Sequence, residues 1–128
     1  MQHRERFLGL IESNCSNVPE LTVDELVQLQ AGESKPTIID VREDSEWDMG
    51  HMKGALHLGK GVIECYIETQ VPDLNTPLVL YCRGGFRSLL AAATLQQMGY
   101  HHVSSLKGGL SGWVEAGQPI DGELKKPS

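Results

Sequence analysis

The sequence predicts an α/β fold, a central, mostly parallel sheet flanked by helices on both faces. Three observations predict it. Thr37-Ile38-Ile39-Asp40-Val41 and Pro77-Leu78-Val79-Leu80-Tyr81-Cys82 are short runs rich in branched and apolar residues. Runs of that kind are strands inside a sheet covered on both sides. Ser88 to Met98 carries Leu89, Leu90, three alanines, Leu95 and Met98, a strongly helical composition. Strand-like and helix-like segments then alternate along the chain, which places helices on the crossovers of a parallel sheet.

The remaining elements follow in order. Residues 1–20 form an N-terminal extension, in which Phe7, Leu8, Leu10 and Ile11 line one side of a short helix ending near Asn14. The domain proper spans 21–122. Thr22-Val23-Asp24-Glu25 is a capping box, with Thr22 as N-cap and Glu25 three positions on; the helix it opens runs to about Leu29 and stops at Gly32. Glu43 to Met49 is polar and starts a helical turn. Ala55 to Leu58 is a second strand, Gly59 and Gly61 mark a loop, and Val62 to Val71 is read as a helix. Gly99 closes the alanine-rich helix, and His102 to Leu106 is a fourth strand. Gly108-Gly109 turns into a last helix with Leu110, Trp113 and Val114, and residues 123–128 form a frayed tail.

With 128 residues the chain suits one domain with a core of its own. Its formal net charge of −6 excludes a general nucleic-acid or acidic-membrane binder, since no basic field would gather phosphates. Three cysteines, Cys15, Cys65 and Cys82, are too few and too uneven for a disulfide framework, and fit a reducing compartment. No signal-peptide pattern or membrane-length apolar run is present, and the cytoplasm is the expected location.

The chemistry concentrates at Cys82. It ends an apolar strand and is followed by Arg83-Gly84-Gly85-Phe86-Arg87 and a helix. The helix N-terminus faces the sulfur. Gly84 and Gly85 let the loop backbone curl into an anion-binding nest. Arg83 and Arg87 add positive charge. Each effect favours a thiolate over a thiol and welcomes an oxyanion. A cation such as Arg87 in the first helical turn opposes the helix dipole, which calls for an anion nearby. Such a thiolate attacks either a phosphate or arsenate, or a sulfane sulfur such as that of thiosulfate. Four residues separate Cys82 from Arg87, a short ring for a tetrahedral phosphoryl group.

Cys82-Arg83-Gly84-Gly85-Phe86-Arg87-Ser88 resembles the active-site loop of the rhodanese-like sulfurtransferases, single-domain type. Asp40-Val41-Arg42-Glu43 with Glu46-Trp47, Gly50-His51-Met52-Lys53-Gly54-Ala55, and Leu106-Lys107-Gly108-Gly109 with Trp113 and Gly117-Gln118-Pro119-Ile120 resemble the family's other signatures, in the same order. Cysteine phosphatases of similar fold carry one more loop residue. The resemblance implies a persulfide on Cys82, formed from a small sulfur-containing anion such as thiosulfate and discharged to cyanide or a thiol, with a protein acceptor as one option. It implies that backbone N–H groups from Arg83 to Ser88 hold the persulfide, that Arg83 and Arg87 meet the donor's oxygens, and that no metal or organic cofactor takes part. Phe86 departs from the smaller residue often found there, which bears on pocket width and acceptor choice.

Plainer readings stand beside these. Asp40 and Arg42, at a strand end, are more simply an ion pair that fixes the loop than site residues. Ser88 is either the helix cap or a hydroxyl beside the sulfur. His51, His57, His101 and His102 form no zinc pattern, and His51 is expected to make a structural hydrogen bond. Trp47 and Trp113 are packing residues, Cys65 is packed rather than a resolving thiol, and Cys15 is incidental. The competing functions are a persulfide carrier or binding module for a partner protein, and a cysteine phosphatase or arsenate reductase.

Overall fold

The computed structural model describes residues 4–124. Its elements are α1 (Glu5–Asn14), β1 (Glu20–Leu21), α2 (Val23–Ala31), β2 (Thr37–Asp40), α3 (Asp44–Met49), β3 (Gly50–Met52), β4 (Leu56–His57), α4 (Ile63–Gln70), β5 (Leu78–Tyr81), α5 (Arg87–Gln97), β6 (Val103–Leu106), α6 (Gly109–Glu115) and β7 (Ile120–Gly122). The sheet order is β1-β6-β5-β2-β4, and every pairing within it is parallel. In the register, Leu80 of β5 lies between Ile39 of β2 and Ser105 of β6.

Side-chain alternation along β2 and β5 divides the core in two. Ile39, Val41, Leu78, Leu80 and Cys82 join Val103 in one apolar cluster with residues of α1, α4 and α5. Ile38, Val79 and Tyr81 join Leu106 in the other, with Leu26 of α2 and Leu110, Trp113 and Val114 of α6. Helices therefore cover both faces. Each fully buried Leu or Ile contributes about 1.5–3 kcal/mol through area removed from water.

The capping box forms: Glu25 N–H donates to Thr22 Oγ1 at 3.1 Å, and Thr22 N–H to Glu25 Oε1 at 3.0 Å. Three short strands are additional to those the sequence predicts. β1 adds an edge to the sheet through Glu20 and Leu21. β3 and β7 form a separate antiparallel pair in which His51 faces Asp121. The N-terminal segment is also integral to the core. Ile11, Cys15 and Val18 are buried in the first cluster, and Gln96 Nε2 donates to Asn17 O at 3.0 Å. Of the expected frayed tail, Glu123 N–H bonds Met49 O at 3.2 Å and Leu124 packs against the second cluster; residues 125–128 lie outside the described residues. Among the described residues no helix is long and apolar enough to cross a membrane.

Candidate active site

β5, the central strand, delivers Cys82 to its C-terminal end, at the mouth of the crossover into α5. The residue is 1% exposed, on the face covered by α1, α4 and α5. Gly85 N–H points at its Sγ from 3.2 Å. Gly85 has φ of +98°, and a Cβ there would sit 3.0 Å from Leu106 O. Glycine is what allows this amide to turn inward.

A second helix straps the loop from behind. Leu110 N–H donates to Cys82 O at 2.8 Å, and Ser111 N–H to Arg83 O at 3.0 Å. The approach requires Gly109, which has φ of +55°; a Cβ on it would lie 2.5 Å from Cys82 O and 2.6 Å from Arg83 O. The loop is thus fixed through its backbone.

Ser88 lies inside α5 and is not its cap. Phe86 holds the N-cap position, and no side chain caps the helix. The Ser88 Oγ is 3.6 Å from Cys82 Sγ and 2.7 Å from Ser105 Oγ. Ser105, on β6, also reaches Gly85 O at 3.5 Å. A buried hydroxyl pair thus runs from the neighbouring strand to the sulfur. The Phe86 ring packs against the first core cluster and does not line the cavity beside Arg83.

The two loop arginines differ. Arg87 Nη1 donates to Glu46 Oε1 at 2.7 Å, and Nη2 to Glu46 Oε2 at 3.0 Å. The pair shifts both groups further into their charged range. The hydrogen bonds from Arg87 hold the Glu46 carboxyl below its ordinary range, and those to Glu46 raise Arg87. The expectation that both arginines are free for a donor's oxygens therefore meets a physical competitor. The anion that Arg87 satisfies is a side chain from α3. Arg83 is exposed and takes part in none of the salt bridges among the described residues. It borders a cavity of about 420 Å³ together with Arg42 and Glu46.

Asp40 and Arg42 form a buried ion pair. Arg42 Nη2 meets Asp40 Oδ2 at 2.8 Å and Gly50 O at 2.7 Å, while Nε donates to Asp40 Oδ1 at 3.0 Å. Burial alone would weaken the Arg42 charge, and the bonds and charge of Asp40 outweigh it. Nearby, Tyr81 Oη accepts Met52 N–H at 2.9 Å, and burial, followed by Asp40, raises its pKa. The network ties β2, β3 and β5 together beneath the loop. Trp47 stacks between His51 and His57, with ring centroids 3.5 and 4.8 Å away, and His51 Nδ1 lies 3.4 Å from Trp47 O.

Cys65 is exposed on α4 and not packed, because it falls on the solvent side of a helix that buries Ile63 and Ile67. Cys15 is buried, and burial raises its pKa. Among the described residues no cluster of three or more His, Cys, Asp or Glu side chains could hold a metal ion. Glu46 and Ser105 are the site residues the sequence did not single out for chemistry. A serine at an inward position of a buried strand was the available signal for Ser105.

The rhodanese-like domain profile matches residues 22–116, most of the chain and all of this site. The chain belongs to the rhodanese-like family. A thiosulfate sulfurtransferase, GlpE, of Shewanella oneidensis is 36% identical over 101 residues, covering 79% of this chain and 97% of that protein. Among solved structures, this rhodanese-like chain is similar to a Rhodopseudomonas palustris protein of unknown function described as a possible tyrosine phosphatase. That match has a TM-score of 0.78 and 31% identity, and covers 94% of this chain and 98% of the other. It is also similar to the polysulfide-sulfur transferase homodimer of Wolinella succinogenes, with a TM-score of 0.75 and 26% identity over 90% of this chain and 86% of that one. In this rhodanese-like chain the Gly85 N–H and the Ser88 Oγ lie beside the Cys82 sulfur.

Proposed function

We propose that this chain is a thiosulfate sulfurtransferase that carries sulfane sulfur as a persulfide on Cys82. The observation that carries the reading is the Cys82 Sγ held under the Gly85 N–H at 3.2 Å, in a loop strapped by α6 and opening onto α5. The similarity to GlpE of Shewanella oneidensis supports it.

In the first step the Cys82 thiolate attacks the outer sulfur of thiosulfate. A Cys82–S bond forms, the donor's S–S bond breaks, and sulfite leaves with the bonding electron pair. The Gly85 N–H and the N-terminus of α5 stabilise the resulting persulfide anion. Arg83 meets the donor's oxygens, and Arg87, held by Glu46, keeps the loop in shape. In the second step an acceptor thiolate or cyanide takes the outer sulfur, and Cys82 leaves as thiolate. Near-complete burial shields the persulfide from side reactions in between. Three free cysteines support a reducing compartment, and we assign the reaction to the cytoplasm.

The description of the Rhodopseudomonas palustris protein as a possible tyrosine phosphatase raises phosphoryl transfer as a second reading. The four residues between Cys82 and Arg87 speak against it, and so does the commitment of Arg87 to Glu46. Steady-state assays with thiosulfate and cyanide, and with an aryl phosphate, separate the two. Sulfur transfer that vanishes in Cys82→Ser, with a raised KM for thiosulfate in Arg83→Ala, is the expected result. Phosphatase turnover dependent on Cys82, without sulfur transfer, would overturn it.

A further inference from the structure

β6 lies between β5 and β1, with Ser105 opposite Leu80 on one side and Glu20 on the other. Strands covered on both faces are built from apolar residues, and Val103 and Leu106 of β6 follow that rule. Ser105 departs from it. It is fully buried and holds a hydroxyl where an aliphatic side chain would pack. Burying a hydroxyl is costly unless it is hydrogen-bonded. Its partners are Ser88 Oγ at 2.7 Å and Gly85 O at 3.5 Å, and Ser88 Oγ is in turn 3.6 Å from Cys82 Sγ. A hydroxyl has one proton to give, so this chain of groups has two orders. With Cys82 a thiol, S–H donates to Ser88, Ser88 to Ser105, and Ser105 to Gly85 O. With Cys82 a thiolate the direction reverses: Ser105 donates to Ser88, and Ser88 to the sulfur. The second order gives up only the 3.5 Å contact, and the Gly85 N–H already points at Sγ from 3.2 Å.

On the reading of Cys82 as the sulfur carrier, we infer that Ser105 is a positioning residue for the discharge step, aiming the Ser88 proton at the Cys82 sulfur as that sulfur leaves. In the persulfide the negative charge sits on the outer sulfur, and Sγ is a weak acceptor. When cyanide attacks the outer sulfur, a C–S bond forms and the S–S bond breaks. Thiocyanate departs with one negative charge, and the electron pair of the broken bond stays on Sγ as the thiolate. The hydrogen bond from Ser88 therefore strengthens as discharge proceeds, which lowers that barrier. In loading, charge moves off Sγ, and the same bond gives no help. Ser105 acts through Ser88. A serine on a helix otherwise turns its proton to a backbone carbonyl of the preceding turn. By donating to Ser88 Oγ, Ser105 sets the direction of the Ser88 proton and polarises its O–H. Arg87 of α5 also faces Cys82, and it is common to every variant compared below.

The test times loading and discharge separately, by intact mass, in the wild type, Ser105→Ala, Ser88→Ala and the double variant. Loading uses thiosulfate on the alkaline plateau of its rate, and discharge uses cyanide at the same pH. Ser105→Ala should discharge roughly five- to tenfold more slowly, the value of one hydrogen bond, with loading unchanged or faster. In the Ser88→Ala background the second substitution should change discharge by less than roughly twofold, because its route to the sulfur is gone. Ser105→Thr, which keeps the hydroxyl, should restore the wild-type ratio of discharge to loading. Each ratio is taken within one preparation, so a loss of folded protein cancels. Equal slowing of both steps would mean a merely structural role and overturn the assignment, and so would a Ser105 effect that persists without Ser88. Should thiosulfate fail to load the wild type, the carrier reading fails, and the hydroxyl chain is read on the unloaded protein. Alkylation of Cys82 by iodoacetamide, followed by peptide mass, should be slower in Ser105→Ala on the acid limb of its pH profile and faster on the alkaline plateau. A less stabilised thiolate is scarcer but more nucleophilic. Profiles that superimpose would overturn the role of Ser105.

Discussion

Arg87 and Glu46 form a two-bond ion pair, at 2.7 and 3.0 Å, that ties the first turn of α5 to α3 across 41 residues of sequence. Both side chains are about one-third exposed, at 32% and 30%. The pair therefore contributes little to global stability, and its weight falls on the shape of the sulfur-binding loop.

Glu46→Gln tests that division. The variant should lose no more than about 1 kcal/mol of stability, as for other partly exposed pairs. Sulfur loading from thiosulfate should slow by roughly tenfold, because a small displacement of an aligned loop is costly in rate. Glu46 is depressed below its ordinary 4.5 in the folded chain. Its stabilisation is therefore present above that pH and lost as pH falls through the lower folded value. Denaturant midpoints from pH 3 to pH 7 (roughly the carboxylate window) should show this acid-side loss in the wild type and not in Glu46→Gln. Equal acid sensitivity in both would contradict the assignment.

The Ser88–Ser105 hydroxyl pair makes a different prediction. Ser88→Ala leaves the fully buried Ser105 Oγ with only its long contact to Gly85 O. A buried group left in that state costs about 1–3 kcal/mol. Removing both hydroxyls should cost less than the sum of the single variants, since the pair is coupled. Urea denaturation of the two single variants and the double variant gives the coupling directly. Strict additivity would mean the hydroxyls do not depend on each other.

Two glycines separate backbone strain from collision. Gly117 has φ of +74° with open space around its missing Cβ, whereas Gly109 has φ of +55° and faces the Cys82 and Arg83 carbonyls. Gly117→Ala should cost about 1–2 kcal/mol, the price of the left-handed conformation alone. Gly109→Ala should cost several kcal/mol, on the order of strain plus overpacking, and should release the α6 strap with loss of sulfur transfer. Thermal unfolding of the two variants checks this, and equal losses would argue against a backbone strap at Gly109.

Much of this was legible in the sequence where a pattern was local. Thr22 and Glu25 announce their helix, and the unbroken apolar run from Leu78 to Cys82 announces a strand covered on both faces. The three short strands were not legible, because Glu20–Leu21, Gly50–His51–Met52 and Ile120–Asp121–Gly122 carry no apolar alternation and are defined by partners far along the chain. The site divides in the same way. Cys82 and its glycine-bearing loop stand out together. Arg87 against the dipole signalled a nearby anion, but not that the anion is Glu46. The difference is fold-dependent, since only the packing of α3 against the loop brings that carboxylate within reach.

The most direct test is the intact mass of the protein after thiosulfate treatment without reductant, beside Cys82→Ser and Cys65→Ser. The account predicts a gain of one sulfur atom in the wild type and in Cys65→Ser, removed by cyanide, and none in Cys82→Ser. A gain that persists in Cys82→Ser, or that disappears in Cys65→Ser, would contradict Cys82 as the carrier.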